Sequence, residues 1–356
     1  MKHGIVAHKP DPKRPYFGWP SVAVTDSGKI VAVASGMRRC HVDPFGKTVM
    51  CVSRDGGQTW DAPKVINDSP LDDRDAGVIC LGGEKLLVTW FSSVIDEADW
   101  YMRKVLSVED YAEAIDTLRA NSKETQESFR GAWYMRSMDG GETWETPRRC
   151  PVNTPHGPTR RSDGRLFYFG KGFPTQEFPV EPAIMAYESL DDGETWTHIG
   201  TVPEPDDLTM KDMHEPHAIA YEDGYVIGTI RMEYPHHECT YSTRSYDGGK
   251  TWTKPEPTGI ECVPVHLCPH SSGALAAVYS WRHAPYGQRA RVSYDRGLTW
   301  GPEIILRDDG PSWDLGYPCT VELPDKSLLT LYYQPTAEEP DFSSLLYTIW
   351  TLNEVK

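Results

Sequence analysis

Six times along this chain an apolar stretch runs into a short polar turn and out again into a second apolar stretch. The segments are WPSVAVTDSGKIVAVAS (19–35), AGVICLGGEKLLVTWFSS (76–93), HGPTRRSDGRLFYFGK (156–171), HEPHAIAYEDGYVIGTIRM (214–232), HLCPHSSGALAAVYSWR (266–282) and YPCTVELPDKSLLTLYYQ (317–334). Apolar runs of strand length on either side of Asp, Gly and Ser predict hairpins. After each of the first five comes nearly the same octamer: SRDGGQTW (53–60), SMDGGETW (137–144), SLDDGETW (189–196), SYDGGKTW (245–252) and SYDRGLTW (293–300). Its Asp and Gly supply the side-chain-to-backbone hydrogen bond and the positive φ of a tight turn, and its Trp anchors the returning strand. The octamers start 84, 52, 56 and 48 residues apart, the length of one four-stranded sheet. A repeat of that period predicts an all-β, six-bladed β-propeller, read as a single domain over 1–356. The sixth hairpin is followed by FSSLLYTIWTL (342–352) and no octamer, so HGIVAHK (3–9) is expected to supply the outer strand that closes the ring.

The long first interval comes from residues 96–131. There Val105, Tyr111, Ala112, Ile115 and Leu118 recur at helical intervals among charged residues, which predicts one or two short helices inserted in the second blade. Such an insertion is a surface excursion, a lid over a site, or a contact between copies in a homo-oligomer.

Composition narrows the partners. A formal charge of −16 argues against nucleic acid or an anionic membrane surface. No apolar run approaches the length of a membrane span or resembles a signal peptide, so a cytoplasmic address is expected. The eight cysteines show neither CxxC pairs nor metal-finger spacing and are expected to be reduced. The histidines of HEPH (214–217) fall on a strand without HExxH spacing, so no metal is expected there, nor any cofactor; HHEC (236–239) reads as a solvated loop.

Strand alternation gathers the chemistry. Consecutive strands of a blade are antiparallel, so the octamer turns share one face. The starts of the innermost strands and the ends of the second strands then share the other. The starts carry Trp19, Arg74, Asp75, His156, His214, Glu215, His266 and Tyr317. The second-strand ends and their loops carry Arg38, Arg39, Asp43, Lys171, Arg231, Arg282 and Tyr333. Ionisable side chains converging on one mouth, against an overall acidic charge, mark the expected site.

The octamer S-x-D-x-G-x-T-W is the Asp-box, and with five copies the chain resembles the sialidase superfamily. The resemblance implies a glycosidase that cleaves a terminal acidic sugar with retention: a Tyr nucleophile, an activating Glu, an acid/base Asp and arginines on the sugar carboxylate. Arginine's planar fork suits that carboxylate, and a neutral phenol avoids the repulsion a carboxylate nucleophile would meet beside it. Residue by residue it implies Tyr317 as nucleophile, Glu215 (in HEPH) as its base and Asp43 (in RRCHVDPFG) as acid/base. Arg231 and Arg282 become the clamp, with Arg289 and Arg291 as rivals to Arg282. Sialidases usually open the first blade with Arg-Ile-Pro, where this chain has Gly18-Trp19-Pro20. Either Arg38, Arg39 or Arg74 then completes the clamp or the substrate is not an ordinary sialoside, and Trp19 is expected to form a stacking floor for the sugar. His156 and His214 are expected at the mouth as substrate contacts or structural histidines. Asp72, Asp73 and Asp75 around Arg74 read as a salt-bridged turn or as ligands for calcium or sugar hydroxyls. The partner is then an oligosaccharide or glycoside bearing an acidic sugar. Two other readings stay open: a hydrolase or lyase acting on a uronate through His156 or another histidine, and a noncatalytic glycan-binding propeller.

Overall fold

The computed structural model describes residues 1–206, 208–233, 238–262 and 264–352. It is a six-bladed propeller of antiparallel sheets whose innermost strands pack around a central axis. Five sheets have four strands. In the third blade the inner strand is split into Val152–Asn153 and Thr159–Arg160, both paired with Leu166–Gly172. In the sixth blade Gly316–Glu322, Leu328–Pro335 and Ser343–Trp350 are completed by the N-terminal strand Lys2–Ala7, with Gly4 opposite Tyr347. The ring therefore closes as the missing sixth octamer implies.

The apolar core is layered between blades. Phe17, Val22 and Ile30 of the first blade pack against Leu329, Leu331 and Tyr333 of the sixth. Val31, Val33 and Met50 on the other face of the first blade meet Val78, Leu86 and Val88 of the second. Burying both faces is why these strands read as continuous apolar runs.

Each Asp-box is a closed hydrogen-bond circuit. In the first, Ser53 Oγ accepts from Gly57 N at 2.9 Å, and Asp55 accepts from Thr59 N at 2.9 Å and Thr59 Oγ1 at 2.6 Å. The bonds from Thr59 hold the Asp55 carboxyl down at about 2. The box tryptophans (Trp60, Trp144, Trp196, Trp252 and Trp300) lie against successive inter-blade cores.

The insertion holds three helices rather than one or two: α1 (Trp100–Val105), α2 (Val108–Ala120) and α3 (Lys123–Phe129). Asp99, Ser107 and Ser122 cap their N-termini through side-chain oxygens, and these caps divide the run. The buried face is Met102, Ala114 and Ile115, while Val105 and Ala112 are exposed. The insertion packs on the first blade's mouth loop, where Arg39 Nη1 donates to Asp110 O at 2.8 Å.

None of the eight cysteines is in a disulfide among the described residues. Among the described residues no helix is long and apolar enough to cross a membrane. His236 and His237 of the HHEC segment lie outside the described residues.

Candidate active site

One backbone device, used in four blades, delivers side chains to the mouth. Trp19, Asp75, Glu215 and Tyr317 have φ of 50°, 52°, 45° and 50°, a left-handed conformation that costs a non-glycine residue roughly 1–2 kcal/mol. Each sits where the pairing of the innermost strand slips: Gly18/Ser21, Arg74/Gly77, His214/His217 and Gly316/Cys319. In three of them a proline follows (Pro20, Pro216 and Pro318). Strain repeated at matching positions is characteristic of functional sites.

Two of these residues are joined directly. The Tyr317 hydroxyl donates to Glu215 Oε1, which also accepts from Arg231 Nη1 at 2.8 Å; Arg231 Nη1 lies 3.4 Å from the Tyr317 oxygen. Burial disfavours the Glu215 carboxylate, but the Arg231 charge and the Tyr317 hydrogen bond outweigh it and hold its pKa below the ordinary value. Burial and the Glu215 charge push Tyr317 well above the ordinary phenol range, so it rests as a neutral phenol on an ionised carboxylate. The chemistry available is proton removal from Tyr317 by Glu215 as the phenol oxygen attacks an electrophile.

The arginines sort by what already holds them. Arg38 is fully buried and donates to both oxygens of Asp72, to Ser35 Oγ at 3.0 Å and to His41 O at 2.9 Å. Arg39 is spent on Asp43, Asp110 and Glu113. Arg289 is buried and donates to the carbonyls of Gln288, Arg307 and Pro285 within the fifth blade. Arg282 lies with its guanidinium carbon 5.7 Å from the Tyr317 ring centroid and donates to Leu315 O. Arg74 is stacked on Trp19 at 4.1 Å, with its nearest carboxylate oxygen, on Asp72, 3.9 Å away. It occupies in the second blade the position that Gly18 holds in the first, one residue before the left-handed bulge. Arg231 and Arg282 thus flank the Tyr317–Glu215 pair, and Arg74 lies on the Trp19 indole whose ring also meets Tyr317.

Two expectations are corrected. Trp19 is 1% exposed, covered by Arg74, His41 and Tyr317; it is a platform for a guanidinium, not an open floor for a sugar. Asp43 is fully buried, accepting from Arg39 N at 2.5 Å, the Arg39 guanidinium and Phe45 N. It shapes its turn rather than facing the mouth.

From the same loop, His41 does face the mouth. Its Nδ1 lies 2.9 Å from Asp314 Oδ1, and its ring meets Trp19 at 5.0 Å and Tyr101 of α1 at 5.9 Å. Asp314 also accepts from the hydroxyls of Tyr16 at 2.9 Å and Tyr333 at 3.3 Å. Burial lowers the His41 pKa, Asp314 opposes the shift, and Arg74 and Arg282 add to it. Sequence reasoning missed His41 and Asp314. The one available signal was that both stand beside residues it did select.

Asp75 has no hydrogen-bond partner on its carboxylate among the described residues. Desolvation, only partly offset by Arg74 and reinforced by Glu215, pushes it up to about 7. Asp72 pairs with Arg38, and Asp73 accepts from Asn67, Ser69 and Ser92, so the salt-bridged turn accounts for both. His214 stays at the rim between Lys171 and Glu233. His156 does not reach the mouth; it is 2% exposed on the axis with His217 and His266. His217 Nδ1 accepts from Leu267 N at 3.1 Å and His266 Nδ1 from Thr320 N at 3.3 Å. Neutral rings held this way carry their proton on Nε2 and staple adjacent blades. Together the three histidines line a channel of about 310 Å³.

Sequence and fold comparisons place the chain among propellers of this architecture. The BNR repeat-like domain model matches residues 114–331. A sialidase of Bacteroides fragilis is 24% identical over 375 residues, an alignment covering 96% of this chain; the chain spans 64% of that relative's length. A protein of unknown function from Dyadobacter fermentans has the same fold (TM-score 0.77, 23% identity, 98% of this chain and 97% of that one). So does the NanB sialidase of Streptococcus pneumoniae (TM-score 0.69, 15% identity, 99% of this chain and 71% of that one).

Proposed function

The chain belongs to the BNR repeat-like domain family, and from that premise we propose that it is a retaining glycoside hydrolase of sialidase type acting on a terminal acidic sugar. The observation that carries the proposal is the Tyr317 phenol donating to a buried, ionised Glu215 beside Arg231. Arg74, Arg231 and Arg282 grip the sugar carboxylate. Tyr317 attacks the anomeric carbon as Glu215 takes its proton, and the glycosyl-tyrosine is then released by water, so configuration is kept.

The shift of the third arginine from the first blade to the second favours one alternative, a uronate or another acidic sugar whose carboxylate sits differently over the ring. A panel of aryl sialosides and aryl uronides tests both. Tyr317→Phe is expected to lower turnover of the accepted substrate about 1,000-fold or more with the fold intact by circular dichroism. Turnover near the wild-type level in that variant refutes the nucleophile. Saturable glycan binding without turnover by the wild type identifies a noncatalytic binding propeller instead.

A further inference from the structure

With Asp43 locked in its turn, the proposed hydrolase needs another group to protonate the departing oxygen. We propose that His41, oriented by Asp314, is the catalytic acid/base of this site. This rests on the reading of Tyr317 as nucleophile and adds to it the residue on the leaving-group side.

Position comes first. His41 and Tyr317 pack on the same indole, at 5.0 and 6.3 Å from Trp19, so a sugar whose carboxylate is drawn to Arg74 and Arg282 is bordered by both residues. Orientation comes next. His41 Nδ1 faces Asp314, and Nε2 has no partner among the described residues; its side chain is 21% exposed. A histidine held at one nitrogen by a carboxylate and open at the other is arranged for proton transfer. Arg38 secures the loop by donating to His41 O at 2.9 Å while neutralised by Asp72. That gives the buried Arg38–Asp72 pair a purpose the clamp did not use. Asp314 itself is fixed by Tyr16 and Tyr333, and Tyr101 closes the outer side of the imidazole from the helical insertion. The insertion is thus a wall of the leaving-group side.

The proton balance closes. In the first step the bond from Tyr317 Oη to the anomeric carbon forms and the bond to the leaving oxygen breaks. The Tyr317 proton passes to Glu215, and the His41 Nε2 proton passes to the leaving alcohol. In the second step water attacks the anomeric carbon and gives its proton to His41, the bond to Tyr317 breaks, and Glu215 returns the phenol proton. His41 returns to the imidazolium that opens the cycle, a form burial, Arg74 and Arg282 disfavour and Asp314 supports, so kcat/KM is expected to fall as pH rises through a His41 pKa below the ordinary histidine value.

His41→Ala separates this role from a structural one. Its kcat/KM on a glycoside with an alkyl leaving group is expected to fall at least ~1,000-fold. On an aryl glycoside with an acidic phenol, which leaves unassisted, the fall is expected within ~10-fold, with sodium azide accelerating turnover and forming the glycosyl azide. Asp314→Asn, a change at the positioning residue, is expected to shift the alkaline limb of kcat/KM to lower pH. The groups facing the imidazole are Asp314, Tyr16, Tyr101, Trp19, Trp313, Arg74 and Arg282, and of these Asp314 alone is acidic enough to sustain the imidazolium. Equal losses on both substrates, or no effect of azide, overturn the assignment. If Tyr317→Phe is also near wild type, or the wild type turns over no acidic aryl glycoside, the underlying hydrolase reading falls with it.

Discussion

Arg74 lies over the indole of Trp19, its guanidinium carbon 4.1 Å from the ring centroid. The pair resolves the gap left by Gly18. The first blade contributes no arginine at its strand start; it contributes the aromatic face that holds an arginine from the second. A desolvated cation–π contact of this kind is worth on the order of 2 kcal/mol, and it holds the Arg74 guanidinium on an indole that also meets the Tyr317 ring.

Arg74→Ala is therefore expected to raise KM for an acidic glycoside about 10- to 100-fold, the loss of one charge-assisted contact of roughly 1.5–3 kcal/mol. Arg38→Ala should instead lower stability, because buried Asp72 is left, among the described residues, with only the 3.9 Å contact to Arg74. Substrate kinetics set beside denaturant titrations of the two variants checks the division. If Arg74→Ala leaves KM unchanged, it is no member of the clamp.

The scaffold was legible because one unit recurs. The hairpin register that fixes the Asp-boxes also fixes which residues open each inner strand, so Glu215, Arg231 and Tyr317 could be placed by counting. What counting could not do was choose between neighbours in one turn. His41 and Asp43 are two residues apart, and their fates diverge because Arg39 captures Asp43 locally while Asp314, far along the chain, receives His41. Arg38 and Arg74 were likewise indistinguishable until Asp72 of the next blade paired fully with only one of them. Long-range ion pairing, not strand pattern, decides which charges remain for substrate.

The fourth Asp-box contains its own control for why one glycine recurs in all five. Gly248 and Gly249 both have positive φ, 80° and 99°. A Cβ on Gly248 meets nothing, whereas one on Gly249 falls 2.8 Å from the Phe167 ring of the preceding blade. Asp192 and Arg296 stand at the first of these positions in other boxes with φ of 56° and 58°, so that position tolerates side chains. Gly248→Ala should cost about 1–2 kcal/mol from backbone strain alone, and Gly249→Ala about 1–3 kcal/mol more from overpacking. Equal losses in urea titrations of the two variants would show that the blade contact contributes nothing.

Asp75 makes stability fall as pH rises, opposite to the Asp-box carboxylates. Its folded pKa is raised from 3.8 to about 7, chiefly by desolvation. Between those values the native state keeps a proton that the unfolded chain has released, so stability declines from near pH 4 and levels off above about pH 7. A shift of that size corresponds to about 4 kcal/mol at the limit. Asp55, held at about 2 by Thr59, acts below this window, where stability falls as pH drops from about 4 toward 2. Asp73, raised by burial to about 6, acts in the same direction as Asp75, so the informative quantity is the difference between wild type and Asp75→Asn. The variant is expected to match the wild type near pH 4 and to exceed it increasingly toward pH 8 in urea midpoint. Parallel midpoints across that range would mean that Asp75 stays ionised in the folded protein, with Arg74 turned toward it and away from the substrate.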